Sequence, residues 1–420
     1  MVRDPNSGQE FHDRGVEAMR LITVLPFALL LGVSGCGGGS GTVVPRVSNP
    51  AVGFAYVTVA ATSAGGAGSV YEYAVLDDGS VIPLAEVSVS AGIDPAAVAL
   101  VGRSAYVVNV GDGTVSQYNV EADNSLAPMN PPAVINSGMK TLGVMPGAVI
   151  SDPTGSFLYV ANSGDGTLSQ FSIGSDGQLT PLTPSTVPAG IEPVSIGATV
   201  GPSGVHVYAA NSGAGVPAGV GSVSQYSMGT DGTLTPLNPA TVSAGASPVA
   251  IAIDQIIAPF GAALVMSNCG GALCTGSIIP FAVGDGGELT ATGGVATTGG
   301  QYDAIGMVTD ESGDNAYVLT NFTGVATDRG TLWRFSVGNT GALTAANQPM
   351  LNVGPVALAQ AMNFDTLYVL TSNEGLGGNA GIGGSINTYT LGTDGLLTLE
   401  NTSTLAVRPV SMATRFLLAP

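Results

Sequence analysis

From Phe54 onward, apolar and polar positions fall into one phrase that recurs along the chain. An aromatic-Val run leads to a Gly/Ser/Asn loop, then an aromatic alternating run, a Gly-centred turn, a Leu, and finally a Pro with a further apolar run. The third copy shows what the phrase encodes. Leu158-Tyr159-Val160-Ala161 reads as a strand, and Asn162-Ser163-Gly164-Asp165-Gly166 as a turn. Thr167 to Ile173 alternates with period two, the spacing that puts every second side chain on one face of a sheet. Ser175-Asp176-Gly177 reads as a hairpin turn, because Gly supplies the positive φ there. Leu179-Thr180-Pro181-Leu182 reads as an outer strand, where Pro is tolerated because an edge lacks one partner. Ala189 to Pro193 leads into Val194-Ser195-Ile196-Gly197, a small-residue strand suited to a crowded centre.

The copies begin near Phe54, Ser104, Ser156, Val205, Ala262, Asp314 and Phe364. Seven copies of roughly 50 residues, each of four short strands, predict an all-β, seven-bladed β-propeller with four antiparallel strands per blade. Third-strand aromatics recur at Tyr73, Tyr118, Phe171, Tyr226, Phe281, Phe335 and Tyr389. Outer-strand apolar residues recur at Val81, Leu126, Leu179, Leu234, Leu289, Leu343 and Leu397. Because every copy fills both positions, the aromatics are expected to pack between blades rather than to stack on a sugar. The first copy starts at its second strand, and Pro409-Val410-Ser411-Met412-Ala413 is a first-strand sequence. The C-terminal strand is therefore expected to complete the first blade, closing the ring and removing open sheet edges.

In a four-stranded blade the turn between strands two and three shares a face with the segment entering strand one. Framework positions repeat, but the residues before the blade Pro do not: they are Asp94, Met145, Glu192, Ser247, Gly354 and Arg408. The fifth copy lacks the Pro and carries Tyr302-Asp303 there. Asp94, Glu192, Tyr302, Asp303 and Arg408 thus form a candidate ligand-binding rim. Carboxylates facing an Arg suit acid–base chemistry with an anion clamp, or a solvated channel mouth in which the Arg pairs with a carboxylate. Asn109, Asn162, Asn211, Asn268 and Asn321 are expected to serve structure, since Asn tolerates left-handed turns. His206, within Val205-His206-Val207-Tyr208, is expected to be packed or solvent-facing rather than a general base.

Composition sharpens the exclusions. A hydrophobic content of 45% with 9% charged residues argues against disorder. The net charge of -19 excludes nucleic acid as a partner, because phosphate binding needs clustered Lys or Arg. Such an acidic surface reads as a solubility device or as a cation-binding one. No nucleophile elbow, paired-His metal motif or phosphate-cradling loop is present. Asp112 and Asp165 lack the ligand density of a calcium loop, so no metal and no cofactor is expected.

Arg20 precedes an apolar run, Leu21 to Leu31, followed by Gly32-Val33-Ser34-Gly35-Cys36. The run is too short to span a bilayer and has the size of a signal-peptide core. Small residues before a Cys resemble a bacterial lipobox. That resemblance implies cleavage before Cys36, a lipid on its sulfur and amine, and an exported, membrane-anchored envelope protein; an ordinary signal peptide is the alternative. Gly37-Gly38-Gly39-Ser40-Gly41 reads as a tether, and Gly37 in place of Asp resembles sorting to an outer membrane. Residues 1–35 are thus expected to be a signal peptide with Met19 the better start, 36–52 a lipidated tether, and 53–420 the propeller. In an exported chain Cys269 and Cys274 are expected to form a loop-stapling disulfide.

Tyr159-Val160-Ala161-Asn162 and Tyr208-Ala209-Ala210-Asn211 resemble the YVTN repeat of surface-layer and lactonase-type propellers. The phrase from Asn162 to Leu182 resembles the seven-bladed lactonase family, which includes bacterial 6-phosphogluconolactonases and fungal muconate-lactonizing enzymes. The resemblance implies a lactone hydrolase or isomerase, with Glu192 or Asp94 as base and Arg408 as anion clamp. The shared residues are mostly structural. A phosphorylated lactone calls for several cations, whereas the propeller holds only Arg103, Lys140, Arg329, Arg334, Arg408 and Arg415. The first expectation is therefore an envelope propeller that binds a protein, glycan or small ligand at its rim; lactonase activity is the alternative, and a purely structural role the third.

Overall fold

The computed structural model describes residues 50–61, 63, 65–135, 147–213, 220–254, 262–267, 276–297, 302–310, 312–322, 330–338, 342–345, 351–354, 356–363, 365–372, 383–407 and 409–416. Alternation and turn chemistry produce seven antiparallel sheets, each one blade of a propeller, and the described residues contain no helix. Blade 2 runs from its inner strand, Pro95–Val101, through Ser104–Asn109 and Thr114–Val120 to the outer Leu126–Ile135. Blade 4 repeats the order as Pro193–Gly201, Gly204–Asn211, Val220–Met228 and Leu234–Ala246. In blades 5 and 6 the outer strand is broken in two, Leu289–Ala291 with Ala296–Thr297 and Leu343–Ala345 with Leu351–Gly354.

Blade 1 is assembled from both ends of the chain. Ala51–Val59, Ala67–Leu76 and Val81–Ile93 supply three strands, and Pro409–Phe416 supplies the innermost. That strand pairs antiparallel with Ala51–Val59, setting Phe54 opposite Arg415 and Tyr56 opposite Ala413. The ring closes as the sequence register requires.

The aromatic at the third strand of every blade is at most 5% exposed, which settles it as packing between blades. A second aromatic, on the second strand, ties blades 1, 2, 3, 4 and 6 to the next. The phenol of Tyr106 donates to the Gly177 carbonyl (2.6 Å), Tyr159 to Gly232 (2.7 Å), Tyr208 to Gly287 (2.7 Å) and Tyr317 to Gly395 (3.0 Å). Tyr56 does the same to the Asn124 carbonyl (2.8 Å). Each acceptor lies in the hairpin of the following blade, at a residue of positive φ. Gly fills this position in four of the five links, where its missing Cβ gives both the left-handed backbone and the close approach of the neighbouring blade, and Asn124, with φ of 66°, fills it in the fifth.

Glutamine supplies a parallel link. Oε1 of Gln117, Gln170 and Gln225 accepts from the amides of Leu179, Leu234 and Leu289 in the next blade (2.9, 2.7 and 2.7 Å). Their Nε2 atoms donate to the carbonyls of Pro131, Pro184 and Pro239 within the same blade. The polar middle of the Ser-Gln-aromatic triplet thus satisfies buried backbone groups at the blade seams, where leaving one unpaired would cost about 1–3 kcal/mol.

These connections define two faces. The upper face holds the turns between second and third strands and the segments entering the inner strands. The lower face holds the hairpins between third and outer strands. Pro50 lies at the lower face, its carbonyl accepting from Asp77 N in the first hairpin (3.3 Å).

Candidate functional site

The upper rim is built on a strained backbone. Asp94, Glu192 and Ser247 each precede a blade Pro and adopt φ of 51°, 52° and 43°. Side-chain-bearing residues pay about 1–3 kcal/mol for such conformations. The local cause is a pair of hydrogen bonds to the turn of the same blade. Val110 N and Gly111 N donate to the carbonyls of Asp94 and Ile93 (3.0 and 2.9 Å). Ser212 N and Gly213 N donate to those of Glu192 and Ile191 (2.9 and 3.0 Å). Two consecutive carbonyls pinned to one turn force the chain through the left-handed region before it enters the inner strand.

Buried asparagines brace this bend. Asn109 accepts from Gly92 N (3.1 Å) and donates to Thr114 Oγ1 and Ser116 Oγ (both 2.9 Å). Asn211 accepts from Gly190 N (3.1 Å) and donates to Ser222 Oγ and Ser224 Oγ (both 3.0 Å). Asn162 makes the matching pair of donations to Thr167 and Ser169. The structural role expected of them holds, but for another reason: none of the three has positive φ, and their side chains do the holding. Strand register also corrects the set. Ser267 opposes Pro248 and Thr320 opposes Ala304, so these residues, not Asn268 and Asn321, occupy the position of Asn109.

The rim side chains differ on this common frame. The Asp94 carboxylate is exposed and lies over Gly111, where a Cβ would come within 2.9 Å of Oδ2. Glu192 is half-buried, and its Oε2 accepts from the Ser212 hydroxyl (2.8 Å). The two acids stand on blades 2 and 4, each held by its own blade's turn. Asp303 lies in the inner strand Tyr302–Thr309 of blade 6, with Ala304 standing where other blades have Pro. The side chains of Tyr302 and Asp303 lie outside the described residues, as do Arg408, Met145, Cys36, Cys269 and Cys274. Ser212 was not singled out from sequence. Its signal was the Asn-Ser-Gly phrase it shares with Ser163, which reads as turn chemistry until the acid is seen above it.

Residues 55–195 match the family described as Lactonase, 7-bladed beta-propeller. No curated protein matches the chain. Among solved structures, a provisionally assigned 6-phosphogluconolactonase from Bacteroides fragilis superposes with a TM-score of 0.64 at 16% identity, covering 87% of this chain and 99% of that one. The corresponding protein from Bacteroides uniformis gives 0.63 at 16% identity, covering 87% and 100%. A periplasmic gluconolactonase from Pseudomonas aeruginosa gives 0.62 at 18% identity, covering 87% and 99%. At such identities the likeness is one of fold.

Two cavities open on the lower face. One of about 420 Å³ lies at the lower channel mouth between the inner strands of blades 2 to 4, lined by Leu100, Ile150, Asp152 and Ala198 among others. The other, of about 560 Å³, is a groove between blades 2 and 3 bordered by Arg103, Glu121 and Asp176. Asp152 is committed to structure: its Oδ1 accepts from Ser156 N and Phe157 N (2.8 and 2.7 Å). His206 belongs to this lower half. It is 1% exposed, contacts Ser203 Oγ through Nε2 (2.9 Å), and packs beneath Gly287 of the next blade. Burial holds its imidazole below the ordinary value. It is a packed histidine, remote from the rim.

The turn acids are likewise engaged. Asp112 accepts from Ile93 N through Oδ2 (2.8 Å) and from Thr114 Oγ1 through Oδ1 (2.6 Å), and Asp165 accepts from Thr167 Oγ1 (2.7 Å). Among the described residues no three His, Cys, Asp or Glu side chains are grouped to hold a metal ion. No helix among them is long and apolar enough to cross a membrane.

Proposed function

We propose that this is a lactonase-type propeller that opens a lactone at the upper mouth of its channel, and that the protein is exported and held to a membrane through Cys36. The observation that carries the reading is the rim itself. One backbone conformation, repeated in blades 2, 4 and 5, presents a different side chain each time, and two of the three are carboxylates. The match of residues 55–195 to the lactonase propellers supports it.

The chemistry needs little machinery. A rim carboxylate, Glu192 or Asp94, takes a proton from water as its oxygen attacks the lactone carbonyl. The carbonyl oxygen gathers negative charge, which the Arg408 guanidinium would stabilise. The ring C–O bond then breaks, the leaving oxygen regains a proton, and a hydroxy acid is released. The Ser212 hydroxyl, bonded to Glu192, fixes the direction in which that carboxylate faces.

The test is a panel of five- and six-membered lactones, followed by acid release, with the chain from Thr42 onward. Turnover that falls at least about 100-fold in Glu192→Gln or Asp94→Asn, and again in Arg408→Ala, supports the reading. Absence of turnover, or turnover indifferent to all three, overturns it. A second reading, a rim that binds a protein, glycan or small ligand without converting it, is favoured by one observation: the Glu192 carboxylate is already engaged by its own blade. Saturable binding of an intact lactone or glycan without acid release identifies that case.

A further inference from the structure

We infer that Ser247 is a further catalytic residue of the rim: its hydroxyl donates to the carbonyl oxygen of the lactone while Glu192, on the neighbouring blade, takes the proton of the attacking water. This role rests on the reading of the upper rim as a lactone-opening site. It sets the reaction at the corner between blades 4 and 5 and makes Glu192, rather than Asp94, the base.

Contacts between the two blades bring Ser247 to this corner. The inner strands Pro193–Gly201 and Pro248–Asp254 both begin at the upper rim. Ile251 N donates to Ser195 Oγ (3.2 Å), which laces one strand to the other. Ser195 comes three residues after Glu192 and Ile251 four after Ser247, so the two rim residues stand at the same level on adjacent blades. Pro248 packs directly on the third strand of blade 4: a Cβ on Gly221 would come within 1.9 Å of its Cδ. Gly221 precedes Ser222, which Asn211 holds, and Asn211 is followed by Ser212, the partner of Glu192. Glu192, Ser212 and Ser247 thus share one corner of the rim. Asp94 stands on blade 2, with the whole of blade 3 between.

The backbone of Ser247 is strained while its side chain is idle. Its φ of 43° lies in the left-handed region, which glycine takes freely and serine only at a cost in stability. Among the described residues no hydrogen bond reaches its hydroxyl, and the residue is half-buried. The fold therefore carries the strain without a bond in return, and presents a spare donor beside a carboxylate. A carboxylate in this place would only accept, whereas serine has a proton to share. Water attacks the lactone carbonyl carbon, and its proton passes to Glu192. The carbonyl oxygen gathers negative charge and accepts a hydrogen bond from the Ser247 hydroxyl, with no proton transferred. The ring C–O bond then breaks, its oxygen takes the proton back from Glu192, and the hydroxy acid leaves.

The test measures kcat, KM and Tm for the full chain and its variants on the lactone of the panel that is turned over fastest. Ser247→Ala should lower kcat about 100-fold with KM within about twofold of the wild type. Ser247→Gly should lose as much kcat while its Tm rises, because the strain is relieved as the donor is removed. Ser247→Asn keeps a donor and tolerates the left-handed region, so it should retain at least about a tenth of the wild-type kcat. A kcat within about threefold of the wild type in Ser247→Ala overturns the assignment. So does a loss of kcat in Ser247→Gly that comes with a fall in Tm, which marks a structural role. Loss confined to Asp94→Asn moves the reaction to blade 2 and also overturns it. The two failures are distinct: if the wild type opens no lactone, the reading of the rim falls and the role of Ser247 with it. If the wild type is active, Glu192→Gln is inactive and Ser247→Ala is fully active, the rim reading stands and Ser247 alone is refuted.

Discussion

At the scale of single residues, the seams between blades depend on small polar contacts in apolar surroundings. Burial pushes the phenols of Tyr118 and Tyr226 up to about 12, so they stay protonated at any physiological pH and donate to the Ser90 and Pro188 carbonyls of the preceding blade (2.7 and 2.6 Å). Tyr159→Phe removes one blade-to-blade bond and leaves the Gly232 carbonyl without its phenol. Chemical unfolding should show a loss of about 1 kcal/mol, with the ring's packing intact. Gly232→Ala should cost more. Its φ of 81° disfavours any side chain, and the new Cβ would sit 2.1 Å from the Phe157 ring. His206 adds a pH term. Its folded value lies below the unfolded one of about 6.5, so the native state binds fewer protons than the unfolded chain as the medium becomes acidic. Its share of stability is complete above that value and is lost as pH falls through the lowered one. Between about pH 7.5 and 5, Tm should fall further for the wild type than for His206→Gln.

At the scale of elements, the turn between second and third strands and the segment entering the inner strand behave as one unit. Asn211 joins them through Gly190 on one side and Ser222 and Ser224 on the other. Asn211→Ala should leave buried partners unpaired and cost about 1–3 kcal/mol, and hydrogen exchange should quicken at the Ser212 and Gly213 amides. These elements also show what sequence reveals and what it withholds. Strands, hairpins and blade count were legible because alternation and Gly-centred turns repeat seven times, so each copy checks the others. Ring closure was legible because Pro409 onward repeats a phrase seen whole in other blades. The left-handed bend at Asp94 and Glu192 was not. A residue before Pro ordinarily avoids the helical regions and favours extended backbone, and only the pinned carbonyls of the turn overrule that preference. The bond from Ser212 to Glu192 was hidden for a related reason: it joins residues twenty apart that meet only once the blade has folded.

At the scale of the whole molecule, the C-terminal strand is the closing piece. Deleting residues 409–420 strips Ala51–Val59 of its inner partner and exposes a sheet edge at the channel wall. Calorimetry should show the loss of the single cooperative transition, and size-exclusion chromatography should show self-association. Removing a surface hairpin acid such as Asp285 should do neither.

That same closure governs when the protein becomes a protein. The first three strands of blade 1 are made at the start of synthesis and their last neighbour at the end, some 350 residues later. At about 5–20 residues per second the interval is roughly 20–70 s, during which the earliest edge stands open. A chain built in this way has no finished form until its closing strand is made, and Pro409–Phe416 are the residues that turn it into a ring.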